Sequence, residues 1–304
     1  MGWIMNFANM RSPGWRARTT ARVSKKLLGF ARITPERTPV FIVGLQRSGT
    51  TMLMDIFHLH PETEVLDEAR DSRVFFDFRV RGPQTVRQIV EASHYRFPCF
   101  KIIADSHILP SILDGLSNPK VLWMYREPGP NAASRLAKFP LGTAAIRTVC
   151  ANGPGGGWFA EGVSPSVRRV LRGLDRSRFT NFDYACLVWW VRNQLYFEMD
   201  LASDPRVRLL RYETLVAQPE SAMQALFDWT GMGWSKLSMR FVHARSLKKP
   251  NLPRIEPQVE ALCTELLQRM DARHSAQWPR VPARLPADRG AAAGAMMAGA
   301  SGAA

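Results

Sequence analysis

Between Pro39 and Pro61 the pattern of the chain changes twice. Val40-Phe41-Ile42-Val43 is an unbroken apolar run, the mark of a strand covered on both faces, as in a parallel sheet. Gly44 ends the run, and a short loop reaches Gly49. From Thr50 to His60 apolar residues (Met52, Leu53, Ile56, Phe57, Leu59) return at helical spacing, and Pro61 stops the helix. A buried strand that turns tightly into a helix is one unit of an α/β domain.

The alternation continues. Cys99 to Ala104 reads as a strand and Ile108 to Leu116 as helical. Val121-Leu122-Trp123-Met124-Tyr125 is a second buried strand. Pro128 fits a first helical turn, and Asn131 to Lys138 continues that helix. Val207 to Leu210 is a further strand. Strands alternating with helices predict a mainly parallel sheet. Between the last two strands lie a glycine-rich loop at residues 153–157 and a helix over Tyr184 to Leu201. Its aromatics, Trp189, Trp190, Tyr196 and Phe197, read as core. The chain has 304 residues, 46% of them hydrophobic, which suffices for one large domain. The expected organisation is a basic arm over residues 1–38, a single domain over 39–285 and a disordered Ala/Gly tail over 286–304.

The loop itself, Gly44-Leu45-Gln46-Arg47-Ser48-Gly49-Thr50-Thr51, stands where an anion cradle belongs. Glycines let the backbone curl so that successive N–H groups face one anion, and the helix N-terminus adds partial positive charge. The spacing is that of a nucleoside-triphosphate loop, with Thr50 in the position of the lysine. In triphosphatases that lysine reaches the terminal phosphates. Here the loop's cation is Arg47, three residues earlier. Such a loop suits a 5′-phosphate with a group bonded to it better than it suits ATP with magnesium.

Net charge is +15, with a sequence pI near 10.4, so anionic partners are favoured. The basic residues are spread along the chain with no helix-turn-helix, zinc or RNA-recognition signature, and nucleic acid is not the expected partner. Cys99, Cys150, Cys186 and Cys263 are far apart and read as free thiols in a reducing cytosol. His58 and His60 are too close in sequence to share a helix face, so no metal site is read there. No apolar run approaches the ~20 residues of a membrane span. A cytoplasmic protein is expected, with the arm (Arg11, Arg16, Arg18, Arg22, Lys25, Lys26 among scattered Trp and Phe) available for peripheral contact with an anionic membrane.

A second anion site follows from Lys120 to Pro128. The strand there ends in Arg126, and Ser134 lies eight residues on, inside the next helix. At this point the chain resembles the sulfotransferases that use 3′-phosphoadenosine-5′-phosphosulfate (PAPS). In that family an arginine at this strand end and a serine eight residues later bind the donor's 3′-phosphate. PVFIVGLQRSGTT resembles the family's 5′-phosphosulfate loop, in the arginine form of tyrosylprotein and many bacterial sulfotransferases. Arg211-Tyr212-Glu213-Thr214-Leu215-Val216 resembles a third family stretch. The resemblance implies a P-loop-type, mainly parallel β-sheet flanked by helices on both faces. It also implies PAPS as co-substrate and no metal. Arg47, Ser48, Gly49, Thr50 and Thr51 would hold the 5′ end, Arg126 and Ser134 the 3′-phosphate, and Tyr212 would lie near the nucleotide. His243 to Pro250 falls where the family closes a basic loop over the 3′-phosphate, which would add Arg245, Lys248 and Lys249.

The same resemblance offers two general bases. Glu68 follows Pro61 by seven residues, as in the tyrosylprotein-like branch, where Arg70 would match a substrate-side arginine. His107, in D-S-H-I-L-P, matches the K-T-H-L-P of the cytosolic enzymes, although Asp105 stands in the lysine position. Lys101, two alternations back on the same expected strand face, is the nearest substitute cation. Glu68 is preferred. The acceptor, whether a small molecule, carbohydrate, lipid or peptide, would be bound by the segments over 71–98 and 141–180. The competing expectations are a P-loop nucleotide kinase and a basic nucleic-acid-binding protein.

Overall fold

Alternate residues of the first strand enter two different cores. In the computed structural model, which describes residues 36–140, 142–151, 157–235 and 251–279, Val40 and Ile42 pack on one face of the sheet and Phe41 and Val43 on the other. All four are fully buried. The period of two along a strand thus serves two apolar layers, which is why the run contains no polar residue. Phe41 stacks on Phe100 of the neighbouring strand with ring centroids 5.1 Å apart. The arm to residue 35, the tail from 280, and Arg245, Lys248 and Lys249 lie outside the described residues.

Along the chain, β1 (Val40–Gly44) turns into α1 (Thr50–Leu59) and β2 (Thr63–Asp67). A small hairpin follows, β3 (Phe75–Phe76) and β4 (Arg79–Val80), then α2 (Pro83–Ala92) and β5 (Phe97–Lys101). A 3-10 turn at Ser106–Ile108 leads to α3 (Leu109–Leu113), β6 (Lys120–Tyr125), α4 (Pro128–Lys138), α5 (Ala144–Cys150) and α6 (Pro165–Gly173). The remaining described elements are α7 (Asn181–Glu198), β7 (Val207–Arg211), α8 (Tyr212–Ala217), α9 (Pro219–Thr230) and α10 (Pro257–Gln277).

The main sheet has the order β2-β5-β1-β6-β7, and every pairing in it is parallel. Helices cover both faces. α1 and α9 pack on the layer of Ile42, Leu122 and Met124, while α7 and α10 pack on the layer of Phe41, Trp123 and Leu209. The chain moves from β1 outward to β2, returns to β5, then crosses β1 to build β6 and β7. Such a switch opens a crevice at the carboxyl ends of the central strands.

Two elements differ from the sequence pattern. β5 runs over Phe97–Lys101 and stops short of Ala104. Past Lys101 the backbone leaves the ladder, because the N–H of Ile103 donates to the Glu68 carboxylate at 3.0 Å. The strand alternation that would have put Lys101 and Asp105 on one face therefore does not extend to Asp105, whose carboxylate takes Arg79 instead, with Nε at 2.7 Å. β2 was not visible in the pattern at all, since Thr63-Glu64-Val65-Leu66-Asp67 carries two acids; among the described residues it is an edge strand that pairs with β5 alone. The aromatic helix α7 is core: Trp189, Trp190 and Tyr196 are buried, and a Thr180–Asp183 capping box fixes its start three residues ahead of Tyr184.

Candidate active site

A cleft of about 1020 Å³ opens at the carboxyl ends of the strands, and all five contribute to it. Gln46 follows β1, Glu68 follows β2, Ile103 follows β5, Arg126 follows β6 and Tyr212 follows β7. The cleft has two unlike halves.

The first half is the glycine loop and its supports. Gly44 has a φ of 122°, and a Cβ there would sit 2.1 Å from the Met124 carbonyl oxygen. Gly49, at φ 91°, is the N-cap of α1, and no side chain caps the helix. Any Cβ at Gly49 would strike the Tyr212 ring at 2.4 Å. Tyr212 therefore closes on the loop from the far side, and Arg126 lies over the same ring at 4.6 Å. Arg47 is itself in the left-handed region, at φ 68°, which turns its side chain toward α4, where Nε donates to the Ser134 hydroxyl at 2.9 Å. The loop and the strand-end pair, far apart in sequence, thus meet as neighbouring walls.

Asn131 carries no sequence signal of its own except its place one helical turn before Ser134. It is fully buried, and its amide donates to the Gln46 carbonyl and to the Ser48 hydroxyl, both at 3.0 Å. It ties the loop to α4 from below. Beneath Arg126 the support is ionic. Arg211 pairs with Asp271 at 2.6 Å, with Glu127 at 2.9 Å and with Glu213 at 3.3 Å, and Tyr125 donates to Asp271 at 2.9 Å. Glu213 in turn lies 3.8 Å from Arg126.

The second half holds Glu68. Its carboxylate accepts from the Ile103 N–H, lies 3.3 Å from the Lys101 ammonium and is 10% exposed. Burial raises the Glu68 carboxyl above the ordinary carboxylate value, against the opposing pull of Lys101. Lys101 also reaches Asp67 at 3.7 Å. Arg70 points elsewhere: its side chain is 59% exposed, 3.9 Å from Asp67, and is not part of the cleft wall. His107 is also outside the wall. Its Nε2 faces Glu161 at 3.4 Å, and burial, reinforced by Arg192, lowers its pKa. Asp105, His107 and Glu161 bring ligand atoms within 4.8 Å of one another, but the Arg79 guanidinium already bridges the two carboxylates. The stretches 71–98 and 141–180 supply Phe78, Arg79, Trp158 and Glu161 to the cleft.

A family model described as the sulfotransferase domain matches residues 37–250, well over half of the chain. The chain belongs to the sulfotransferase family. Among solved structures, this sulfotransferase is similar to one from Alicyclobacillus acidocaldarius, at 17% identity and a TM-score of 0.45, over 80% of this chain and 96% of that one. A sulfotransferase domain from the curacin biosynthetic pathway matches at 15% identity and a TM-score of 0.46, over 78% and 98%. A sulfotransferase from Mycobacterium avium matches at 10% identity and a TM-score of 0.42, over 85% and 84%. No curated protein matches in sequence. Among the described residues, no helix of the sulfotransferase is long and apolar enough to cross a membrane.

Proposed function

We propose that this sulfotransferase takes its sulfuryl group from PAPS and passes it to a hydroxyl or amine of an acceptor seated beside Glu68. The observation that carries this reading is the Arg47–Ser134 hydrogen bond, which sets the loop and the strand-end site side by side. A donor with phosphate groups at both ends of its ribose needs two adjacent anion sites, and ATP does not.

In this reading Arg47, the hydroxyls of Thr50 and Thr51, and the amides around Gly49 receive the 5′ end, while the Ser48 hydroxyl, buried and held by Asn131, braces the loop from behind. Arg126 and Ser134 receive the 3′-phosphate, with Tyr212 as the wall between. Transfer breaks the bond from sulfur to the bridging phosphate oxygen and forms one from sulfur to the acceptor. The departing phosphate takes up the electron pair, and Arg47 with the loop amides stabilises the growing charge. Glu68 removes the acceptor proton. Its raised pKa suits a base that must hold that proton through the transition state. Lys101 is a positioning residue that keeps the carboxylate ionised and aimed. In this reading His107, which faces Glu161 and stands outside the cleft wall, is not the base.

Calorimetric titration with adenosine-3′,5′-bisphosphate, with adenosine-5′-monophosphate as control, tests the donor. Binding that requires the 3′-phosphate and weakens in Arg126→Ala supports PAPS. Equal affinity for the two nucleotides would remove the donor reading.

A further inference from the structure

The stretch from Glu161 to Arg178, which contains α6, holds five arginines and two acids. In other segments arginines meet carboxylates: Arg73 pairs with Asp71, Arg79 with Asp105, Arg206 with Asp204 and Arg211 with Asp271. Here they do not. Among the described residues, no ion pair joins Arg168, Arg169, Arg172, Arg176 or Arg178 to a carboxylate. Glu161 is taken by Arg79, and the exposed Asp175 accepts from the Ser177 N–H at 3.0 Å. Like charges gathered without counter-ions repel and destabilise the fold unless an anion joins them.

Carbonyl oxygens set three of these guanidiniums in a row. Arg168 donates to the Ala160 carbonyl at 3.0 Å, Arg172 to the Arg168 carbonyl at 3.2 Å, and Arg176 to the Arg172 carbonyl at 3.3 Å. Four residues of helix rise about 6 Å, so the anchor points repeat at about that distance. Each guanidinium has five N–H groups and keeps donors to spare. Arg147 of α5 extends the row: burial raises the Cys150 thiol to about 11, and Arg176 and Arg147 both pull it the other way. The row begins at the cleft, because Ala160 lies between Trp158 and Glu161, which both line it.

The form of the row selects its partner. A single file of guanidiniums fits a linear chain with an anion on each repeat, and guanidinium pairs bidentately with sulfate or carboxylate. A bilayer contact needs apolar side chains to insert, and the large exposed apolar residue of α6 is Val170 alone. Single-stranded nucleic acid needs aromatic faces for its bases, and no exposed aromatic stands on α6. The acceptor half of the cleft has the opposite character. Glu68, Asp77 and Glu161 line it, with Lys101 and Arg79 as its cations. An anion is drawn to the ridge and turned away from that wall.

We propose that the α6 ridge is a docking surface for a linear acidic polysaccharide, whose charged units lie along the arginines while an uncharged, hydroxyl-bearing unit of the same chain enters the cleft. The docking stands on the ridge alone. That the docked chain is also the acceptor rests on the sulfuryl-transfer reading of the cleft.

The test measures fluorescence anisotropy of labelled dextran sulfate, with labelled dextran as the uncharged control. It compares wild type, Arg169→Glu/Arg172→Glu and Arg81→Glu/Arg96→Glu. The last pair makes the same change of charge at exposed residues away from α5 and α6. Wild type is expected to bind dextran sulfate, more weakly as salt rises, and not to bind dextran. The ridge variant loses about tenfold in affinity at fixed salt, and the control variant under about threefold. Both keep the wild-type melting temperature and affinity for adenosine-3′,5′-bisphosphate. Arg169→Gln/Arg172→Gln repeats the measurement should the glutamate variant fail to fold. Equal losses in the ridge and control variants overturn the ridge and leave the donor reading standing. So does tighter binding of phosphatidylglycerol vesicles or oligothymidine than of dextran sulfate. Ridge-dependent dextran sulfate binding in a wild type that does not bind the bisphosphate keeps the docking surface and overturns the donor reading, and the acceptor role with it.

Discussion

The two halves of the cleft are built by opposite means. The half proposed for the nucleotide comes from three short stretches, around Arg47, Arg126 and Tyr212, clamped by buried polar groups: Asn131 and Ser48 are fully buried, and Arg211 nearly so. The acceptor half gathers Phe78, Lys101 and Glu161 from separate segments, and its joining ion pair, Arg79 with Glu161, is 41% and 37% exposed. One half is fixed from within and should answer to pH. The other is held at the surface and should answer to salt. A fold can hold a donor site rigid while the acceptor site stays open to change, provided the two share only a boundary.

Glu68 is the buried exception within the acceptor half, and the largest expected effect is there. Glu68→Gln should lower kcat about a thousandfold while bisphosphate affinity stays unchanged, measured by single turnover and calorimetry. The acidic limb of the wild-type rate profile should lie above the ordinary carboxylate value, since the base works only when ionised and burial raises its pKa. Lys101→Met should push that limb to still higher pH, because Lys101 pulls the other way. A bisphosphate affinity that fell together with the rate would show that the two halves are not separable.

Next in size is the foundation of the nucleotide half. His274 is fully buried beside Tyr125, and burial, with Arg211, lowers its pKa from 6.5 to about 4. The folded chain refuses a proton that the unfolded chain takes up. Stability from this residue is whole above pH 6.5 and falls as pH drops toward 4, by roughly 3 kcal/mol. Urea midpoints at pH 7 and pH 4.5 measure the loss, and His274→Leu should flatten it. A pH-independent midpoint would mean that the buried foundation does not govern stability.

Arg126→Ala comes third. It should weaken adenosine-3′,5′-bisphosphate by roughly 2 kcal/mol, about thirtyfold, and leave the acceptor KM alone. Smallest is Glu161→Gln, which loosens a half-exposed pair and should cost under about 1 kcal/mol of stability, an effect that fades with added salt. A large stability loss there would break the contrast between the halves.

The same contrast decides what could be read from the sequence. The nucleotide half was legible because its chemistry is contiguous: a strand, a glycine loop and a helix lie in one stretch, and Ser134 follows Arg126 at a fixed helical distance. Asn131 could have been found from its place one turn before Ser134, but nothing local says that an Asn there faces inward. Of the acceptor half only Glu68, Lys101 and the bounds of the lining segments were legible. Its hairpin lacks the Asn-Gly signature of such turns, since Phe78 occupies the glycine position. β2 was masked by Glu64, whose carboxylate is engaged by Arg73 and Ser93. The Arg79–Glu161 contact spans 82 residues and has no local trace. Lys101 was placed on the right strand, as a substitute for the lysine whose position Asp105 occupies; what the sequence pattern did not show is that it faces Glu68 and Asp67 on the neighbouring segment.

The Arg47–Ser134 bond has a thermodynamic corollary. While Arg47 Nε donates to the Ser134 hydroxyl, each anion site has part of its capacity engaged with the other. A phosphate that draws Arg47 toward the loop changes what Ser134 can offer, and a phosphate on Ser134 changes the freedom of Arg47. If the two sites take the phosphates proposed for them, the two ends of a bound nucleotide are reciprocally coupled, and the coupling is equal in either direction. Affinities for adenosine-5′-monophosphate, adenosine-3′-monophosphate and the bisphosphate would give its size. On that proposal the bond would make the protein responsive to the pair of phosphates as a unit, beyond the sum of two separate grips.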